Sequence, residues 1–380
     1  MIGEQKNVKK VKGVNKMIKK ANLSESIGMI LLVLCATLVV AVLPAAADYD
    51  ADKPLVEYKS GTVIGGCMNY TIGDSYYSSQ LWNNDIYTVN LTPCLPCCPC
   101  IPYGYCDLVE ARLYVYWTWS YLESSNLYGY DTSILPNMTV NMSNNGAEPT
   151  TLGLDAMYWD SKDITQINTS NVKYNYPCGT SAYNVTESVT DCGPYTVNVT
   201  VAPGELEDQS VCIQGVALLT IWNCSNCPYC TYNKTRCYYW IDEGCDMTNV
   251  DWNESAGDWK YDVAPSEAMT WANFSNMGTF TKGNATLITA VPAGDTIYNK
   301  LIFNNFAYPV NFVWYSVWPG IPYSDLSWNK TDVSSAYQPD AINYALICNG
   351  WDDDTHSGDK QMQAAGAFLL VKEGEGGGDD

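Results

Sequence analysis

Hydrophobic and polar residues alternate along most of this chain with a period of two. In "VEARLYVYWTWSY" (109–121), Leu113, Val115, Trp117 and Trp119 alternate with Arg112, Tyr114, Tyr116 and Thr118, a β-branched and aromatic pattern that predicts a strand with one dry face. "YTVNVTV", "QGVALLTIW", "NATLITAV", "NKLIFNNF" and "FVWYSVW" read the same way, and turn signals such as "APG", "VPAGD", "WPGIPY" and "NNG" separate them. Short strands with Gly, Pro and Asn punctuation predict an all-β chain of β-sandwich or jelly-roll type. The best helical candidate is "ESAGDWKYDVAPSEAMTWANF".

The order of parts occurs twice. Residues 183–222 and 328–373 each run from aromatic-Asn-x-Thr-acid through a polar turn and an alternating strand to an acidic loop. Each then closes on a glycine, two residues and a leucine pair: Gly215 with Leu218 and Leu219, Gly366 with Leu369 and Leu370. A spacing of about 150 residues is domain spacing rather than solenoid spacing. The expected plan is a leader over 1–47, a first β-domain over 48–222, a second over 223–373, and a flexible acidic, Gly-rich tail over 374–380, with disulfide-rich loops between strands.

The leader reading comes from seven lysines in the first 27 residues, the apolar "GMILLVLCATLVVAVLP", and small residues at Ala45 and Ala47. These are the n-region, h-region and A-x-A site of a signal peptide cleaved after Ala47; an uncleaved membrane anchor is the alternative. Without the leader, 13 Lys and Arg face 39 Asp and Glu, a net charge of −26. Such a chain repels nucleic acid and anionic lipid. After cleavage no second apolar span is expected to hold it in a membrane.

Thirteen N-x-S/T sequons follow the leader, at Asn69, Asn90, Asn137, Asn141, Asn168, Asn184, Asn198, Asn223, Asn233, Asn253, Asn273, Asn284 and Asn329, an excess of about threefold over chance that fits a glycosylated exterior. Leader and sequons together predict secretion.

The address bears on the cysteines. "CLPCCPCIPYGYC" places Cys94, Cys97, Cys98, Cys100 and Cys106 within thirteen positions, and "CSNCPYCTYNKTRC" holds Cys224, Cys227, Cys230 and Cys237. Either cluster reads as a metal cage or a disulfide knot, and an oxidising exterior favours disulfides. The second imitates an iron–sulfur run, but its fourth cysteine comes too late and lacks the following proline; structural zinc is the remaining metal alternative. Cys67, Cys178, Cys192, Cys212, Cys245 and Cys348 complete an odd set of fifteen, so at least one thiol is left for a partner chain or stays free. Cys178 and Cys192 flank a short loop and are expected to pair.

Histidine occurs once, as His356 in "WDDDTHSGD", a polar acidic loop rather than a nucleophile elbow. No enzyme activity is expected. The same loop offers Asp352, Asp354 and Asp359 as oxygen ligands, and its counterpart offers Glu205, Glu207 and Asp208. The spacing is not that of an EF-hand, so a solvated acidic turn is the leading reading and calcium the alternative; no other cofactor is expected.

At "VEARLYVYWTW", "IQGVALLTIW", "YYWIDEGCDM" and "GAFLLVKE", the chain resembles a family of secreted surface proteins of methanogenic archaea, over roughly 55–373. Its cysteine clusters, acidity and tyrosine content are further similar to sheath proteins of filamentous methanogens of the Methanospirillum type. The resemblance implies a subunit of a resistant extracellular tube and carries no catalytic residues. The expectation is therefore a structural, self-assembling envelope protein, a homopolymer held by interchain disulfides from the 94–106 segment and by sheet edges, with "PLVEYKSGTVIGG" or "AGAFLLVKE" as edge donors. A secreted carbohydrate-binding adhesin is the alternative, and a secreted hydrolase the third reading.

Overall fold

The Gln209–Asn223 and Met362–Lys372 strands are buried almost end to end. Strands dry on both faces belong at the centre of sheets packed from both sides, and the layers of the molecule follow from that. The computed structural model describes residues 53–74, 79–93, 106–122, 132–133, 135–160, 177–191, 193–202, 209–226, 234–248, 251–252, 261–263, 268–275, 277, 283–294, 299–304, 313–318, 326–349, 351–352, 357–358 and 362–374. The regular elements among them are all strands, paired antiparallel. The expected leader, and the tail beyond 374, lie outside the described residues.

Two central sheets lie back to back. One runs Cys67–Ile72, Gln209–Asn223, Asp107–Leu122, Cys178–Asn184, Ala156–Asp160; the other runs Val56–Ile64, Arg236–Thr248, Met362–Lys372, Asn284–Pro292, Leu326–Asp332. Tyr70, Tyr114, Tyr116, Tyr239, Ile241, Phe368 and Leu370 fill the space between them. On its far side the first central sheet packs Leu113, Val115 and Trp117 against Val89, Val140 and Val197 of an outer sheet, Ile86–Leu91, Tyr195–Val201, Met138–Asn144, Thr150–Thr151. The second packs Trp240, Leu287 and Leu369 against Phe274, Leu301 and Ala345 of the other outer sheet, Met269–Phe274, Asn343–Cys348, Lys300–Phe303, Val313–Tyr315.

The same strand plan occurs twice, over 67–223 and 236–372. In each copy eight strands form a central sheet of order first, eighth, third, sixth, and an outer sheet of order second, seventh, fourth, fifth. Local hydrogen bonds match as well. Val185 N–H donates to Ala111 C=O at 3.0 Å and Val333 N–H to Ala285 C=O at 2.9 Å, while the Ala111 and Ala285 N–H groups donate to the Thr186 and Ser334 hydroxyls.

Gly215 marks the inversion of its strand. Before it Val211 and Ile213 face the outer sheet; after it Val216 and Leu218 do, and the register shifts between Ile213 and Gly215. A bulge of this kind re-aims every later side chain. A Cβ there would stand 2.8 Å from Leu326 Cδ2, so any larger residue would have to displace that side chain.

Residues 48–380 form one compact unit. The Val56–Ile64 strand, from the segment expected to be the first domain, hydrogen-bonds along Arg236–Thr248.

Three expectations are corrected. Within the expected helix lie Tyr261–Val263 and Met269–Phe274, both strands; the alternate burial of Thr270, Ala272 and Phe274 is a two-residue period. "AGAFLLVKE" is no edge, because Met362–Lys372 is paired on both sides. The Asp107–Leu122 strand has two dry faces, since Arg112, Tyr114 and Tyr116 meet a second sheet instead of water.

Candidate functional site

Charged residues in a strand between two packed sheets must find partners or lose their charge. Arg112, on Asp107–Leu122, and Glu243, on Arg236–Thr248, are both fully buried and meet across the central interface. The guanidinium Nε and Nη2 each donate to a Glu243 carboxylate oxygen at 2.8 Å, the bidentate fork that suits this pair. Tyr114 and Tyr158 donate to the same carboxylate at 2.7 and 3.2 Å. Asp155 takes Nη1, and the Tyr58 ring lies 3.7 Å from the guanidinium carbon.

The charge is thus matched by an opposite charge and by hydrogen bonds from all three guanidinium nitrogens, the condition under which burial is tolerated. Burial opposes the charged guanidinium, but the hydrogen bonds and charge of Glu243 outweigh it and raise its pKa further. Burial, with Glu243 beside it, also holds the Tyr114 phenol protonated. Nearby, Glu110 accepts from Lys59 and Tyr58.

Farther along the same interface, Asp160 accepts from the Met247 N–H at 2.8 Å and from Lys53 at 2.6 Å, and Lys53 also stands over the Trp159 ring. Beside it, Cys178 and Cys245 bring their Sγ atoms to 3.3 Å.

On the opposite face of Arg236–Thr248, Asp246 accepts from Thr270 and Asp242 accepts the Asn273 N–H at 3.1 Å. The second Asp242 oxygen has no hydrogen-bond partner among the described residues. Burial raises its pKa to about 8 against the Asn273 hydrogen bond, and the Glu57 and Glu243 charges add to the rise. Asp242 is therefore largely protonated at neutral pH, as an unpaired buried carboxyl should be. The arrangement clamps sheets together, with the Arg112 and Glu243 side chains both fully buried.

The cysteines divide. Cys106 and Cys224 form a disulfide within the chain, so Cys106 is not an interchain link, while Cys67, Cys178, Cys212, Cys237, Cys245 and Cys348 are buried thiols. Burial pushes the Cys348 thiol up to about 12. Cys178 faces Cys245 rather than a neighbour in sequence. Cys94, Cys97, Cys98, Cys100, Cys192, Cys227 and Cys230 lie outside the described residues, as do Glu205, Glu207, Asp208, Asp354, His356, Asp359 and the sequons Asn168, Asn233 and Asn253. Asp352 falls on the short Trp351–Asp352 strand. Among the described residues no group of three His, Cys, Asp or Glu is placed to hold a metal.

The ten described sequon asparagines are exposed or half-buried, and none is fully buried. Sequence reasoning did not single out Arg112, Asp155, Asp160, Asp242 or Glu243. The available signal was "IDEGCD", three acids inside an otherwise apolar strand.

No curated protein matches the chain. The model of the family described as "Protein of unknown function (DUF3344)" matches residues 48–372, and the chain belongs to that family.

Proposed function

We propose that this chain is a secreted, glycosylated structural subunit that self-assembles into an extracellular envelope of sheath or S-layer type, cross-linked by disulfides and passing only small molecules between subunits. The carrying observation is where the chemistry sits. Arg112, Glu243, Asp160, Asp242, Cys178 and Cys245 are all buried between strands, holding layers together rather than facing a substrate. The sequence resemblance to sheath proteins of filamentous methanogens points the same way. A chain carrying −26 after its leader needs contacts that ignore side-chain charge, and main-chain pairing at a sheet edge is one. Val56–Ile64 ends its sheet and is the donor of choice. The cysteines of 94–100 supply the interchain bonds.

Electron microscopy of the purified native protein tests this. Filaments, sheets or tubes that come apart only with reductant are expected; dispersed single particles under all assembly conditions overturn it.

A carbohydrate-binding adhesin is the second reading, favoured by Trp271 and Tyr315, which are 48% and 71% exposed on the outward face of one outer sheet. Glycan binding by a monomer, abolished by Trp271→Ala, would favour it over assembly.

A further inference from the structure

Alternation carries Glu243, Cys245 and Met247 to the same face of Arg236–Thr248, the one against the neighbouring central sheet. Cys178 opens the Cys178–Asn184 strand opposite. Its Sγ lies 3.3 Å from that of Cys245, both side chains are buried, and Met247 and Tyr158 pack around them. We propose that Cys178 and Cys245 are a disulfide site, a covalent clasp between the two central sheets and so between the two copies of the strand plan.

The sulfurs are already in contact, and reaching the about 2.05 Å of a bond takes a closing motion of roughly 1 Å. The environment sets when the bond can form. In the closed structure burial raises the Cys178 thiol well above its usual range, and the Cys245 sulfur and the Asp160 and Asp246 carboxylates push the same way. The thiolate is the attacking species, so Cys178 in the folded protein is a poor nucleophile. The bond therefore forms as the sheets close, before burial suppresses the Cys178 thiolate.

One thiolate attacks a disulfide oxidant and releases one of its sulfurs as a thiol. The second cysteine then attacks the mixed disulfide and releases the other. Two protons and two electrons leave the protein, and the oxidant becomes two thiols. Once made, the bond is sealed from dissolved reductants by the same packing. It requires a disulfide oxidant during folding but no assembly, so its failure would leave the envelope reading standing.

The test is to refold the full chain from denaturant in a mixture of reduced and oxidised glutathione, block free thiols, and map peptides without reduction. A cross-linked pair containing Cys178 and Cys245, lighter by two hydrogens than the separate thiol peptides, is expected. It should survive dithiothreitol in the native protein and open when the same reductant acts in denaturant. Recovery of both cysteines as alkylated thiols, or of Cys178 joined to Cys192 or to another cysteine, overturns the proposal.

Discussion

Trp119 and Ala293 stand at one and the same position of the two strand copies, eight residues beyond Ala111 and Ala285, and both have left-handed backbones, with φ of 52° and 58°. The bend is thus part of the repeated plan, imposed at the end of the third strand whatever side chain is there. For an L-residue this conformation costs about 1–2 kcal/mol, partly offset on substitution by the greater unfolded-state freedom of glycine, about 0.4–1 kcal/mol.

Ala293→Gly should therefore stabilise the protein by about 0.5–1 kcal/mol. The shift of the urea midpoint reads it; a lowered midpoint would mean the bend is unstrained. Trp119→Gly is a poorer probe, because it also removes a large, partly buried side chain.

The Arg112–Glu243 pair makes the second prediction. Removing Arg112 strands Glu243 as a buried charge without its ion-pair partner, which costs about 3–5 kcal/mol, whereas replacing both with apolar residues of similar volume is often near neutral. Arg112→Met should be strongly destabilising and Arg112→Met with Glu243→Leu much less so. Tyr114 and Tyr158 would each lose an acceptor in the double variant, so a residual loss of about 1–2 kcal/mol is expected. Equal losses in single and double variants, measured by denaturant titration, would show that the pair does not act as a unit.

The strand cores and the two glycine landmarks were legible in the sequence, because alternation and Gly punctuation are local properties of backbone geometry. The second dry face was not. Arg112 and Tyr114 look like a wet face in one strand, and only Glu243, 131 residues away, turns them inward. The Cys178 neighbour was hidden for the same reason: a loop-closure argument favours the near cysteine, but the topology brings Cys245 to it across 67 residues. In the same way, Met362–Lys372 reads as a terminal strand yet lies mid-sheet, since strand order is set by the return of the chain between sheets rather than by position in sequence.

Asp242 predicts a pH dependence. Its folded pKa, about 8, lies above the usual carboxylate value, so the folded state holds a proton that the unfolded state releases. Stability from this group is fully present below about pH 4 and is lost as pH rises towards 8, with a slope of at most about 1.4 kcal/mol per pH unit. Asp242→Asn keeps an oxygen for the Asn273 N–H and cannot ionise. Against the wild type it should gain relative stability steadily between pH 4 and 8. Parallel stability curves for the two proteins across that window would refute the assignment.

The last prediction concerns the sequons on one outer sheet. Asn141 and Asn198 are direct cross-strand partners in the pairing of Met138–Asn144 with Tyr195–Val201, on a face of alternating half-buried polar residues. Each carbonyl oxygen is tied by a neighbour, Asn141 by Thr151 at 2.7 Å and Asn198 by Thr88 at 2.8 Å, which orients the amide and leaves its nitrogen without a partner among the described residues. By contrast, the Asn90 and Asn329 nitrogens donate to Asp74 and to the Val317 carbonyl. The amide nitrogen is the atom a glycan must take, so Asn141 and Asn198 should be modified ahead of Asn90 and Asn329. Directly opposed residues have Cβ atoms only about 5 Å apart, too close for two branched glycans to leave side by side. Each chain should therefore carry sugar on one of the pair, and Asn141→Gln should raise occupancy at Asn198. Glycopeptide mass spectrometry of the native protein, on a fragment spanning both sites, decides it: chains doubly modified at Asn141 and Asn198 would refute mutual exclusion.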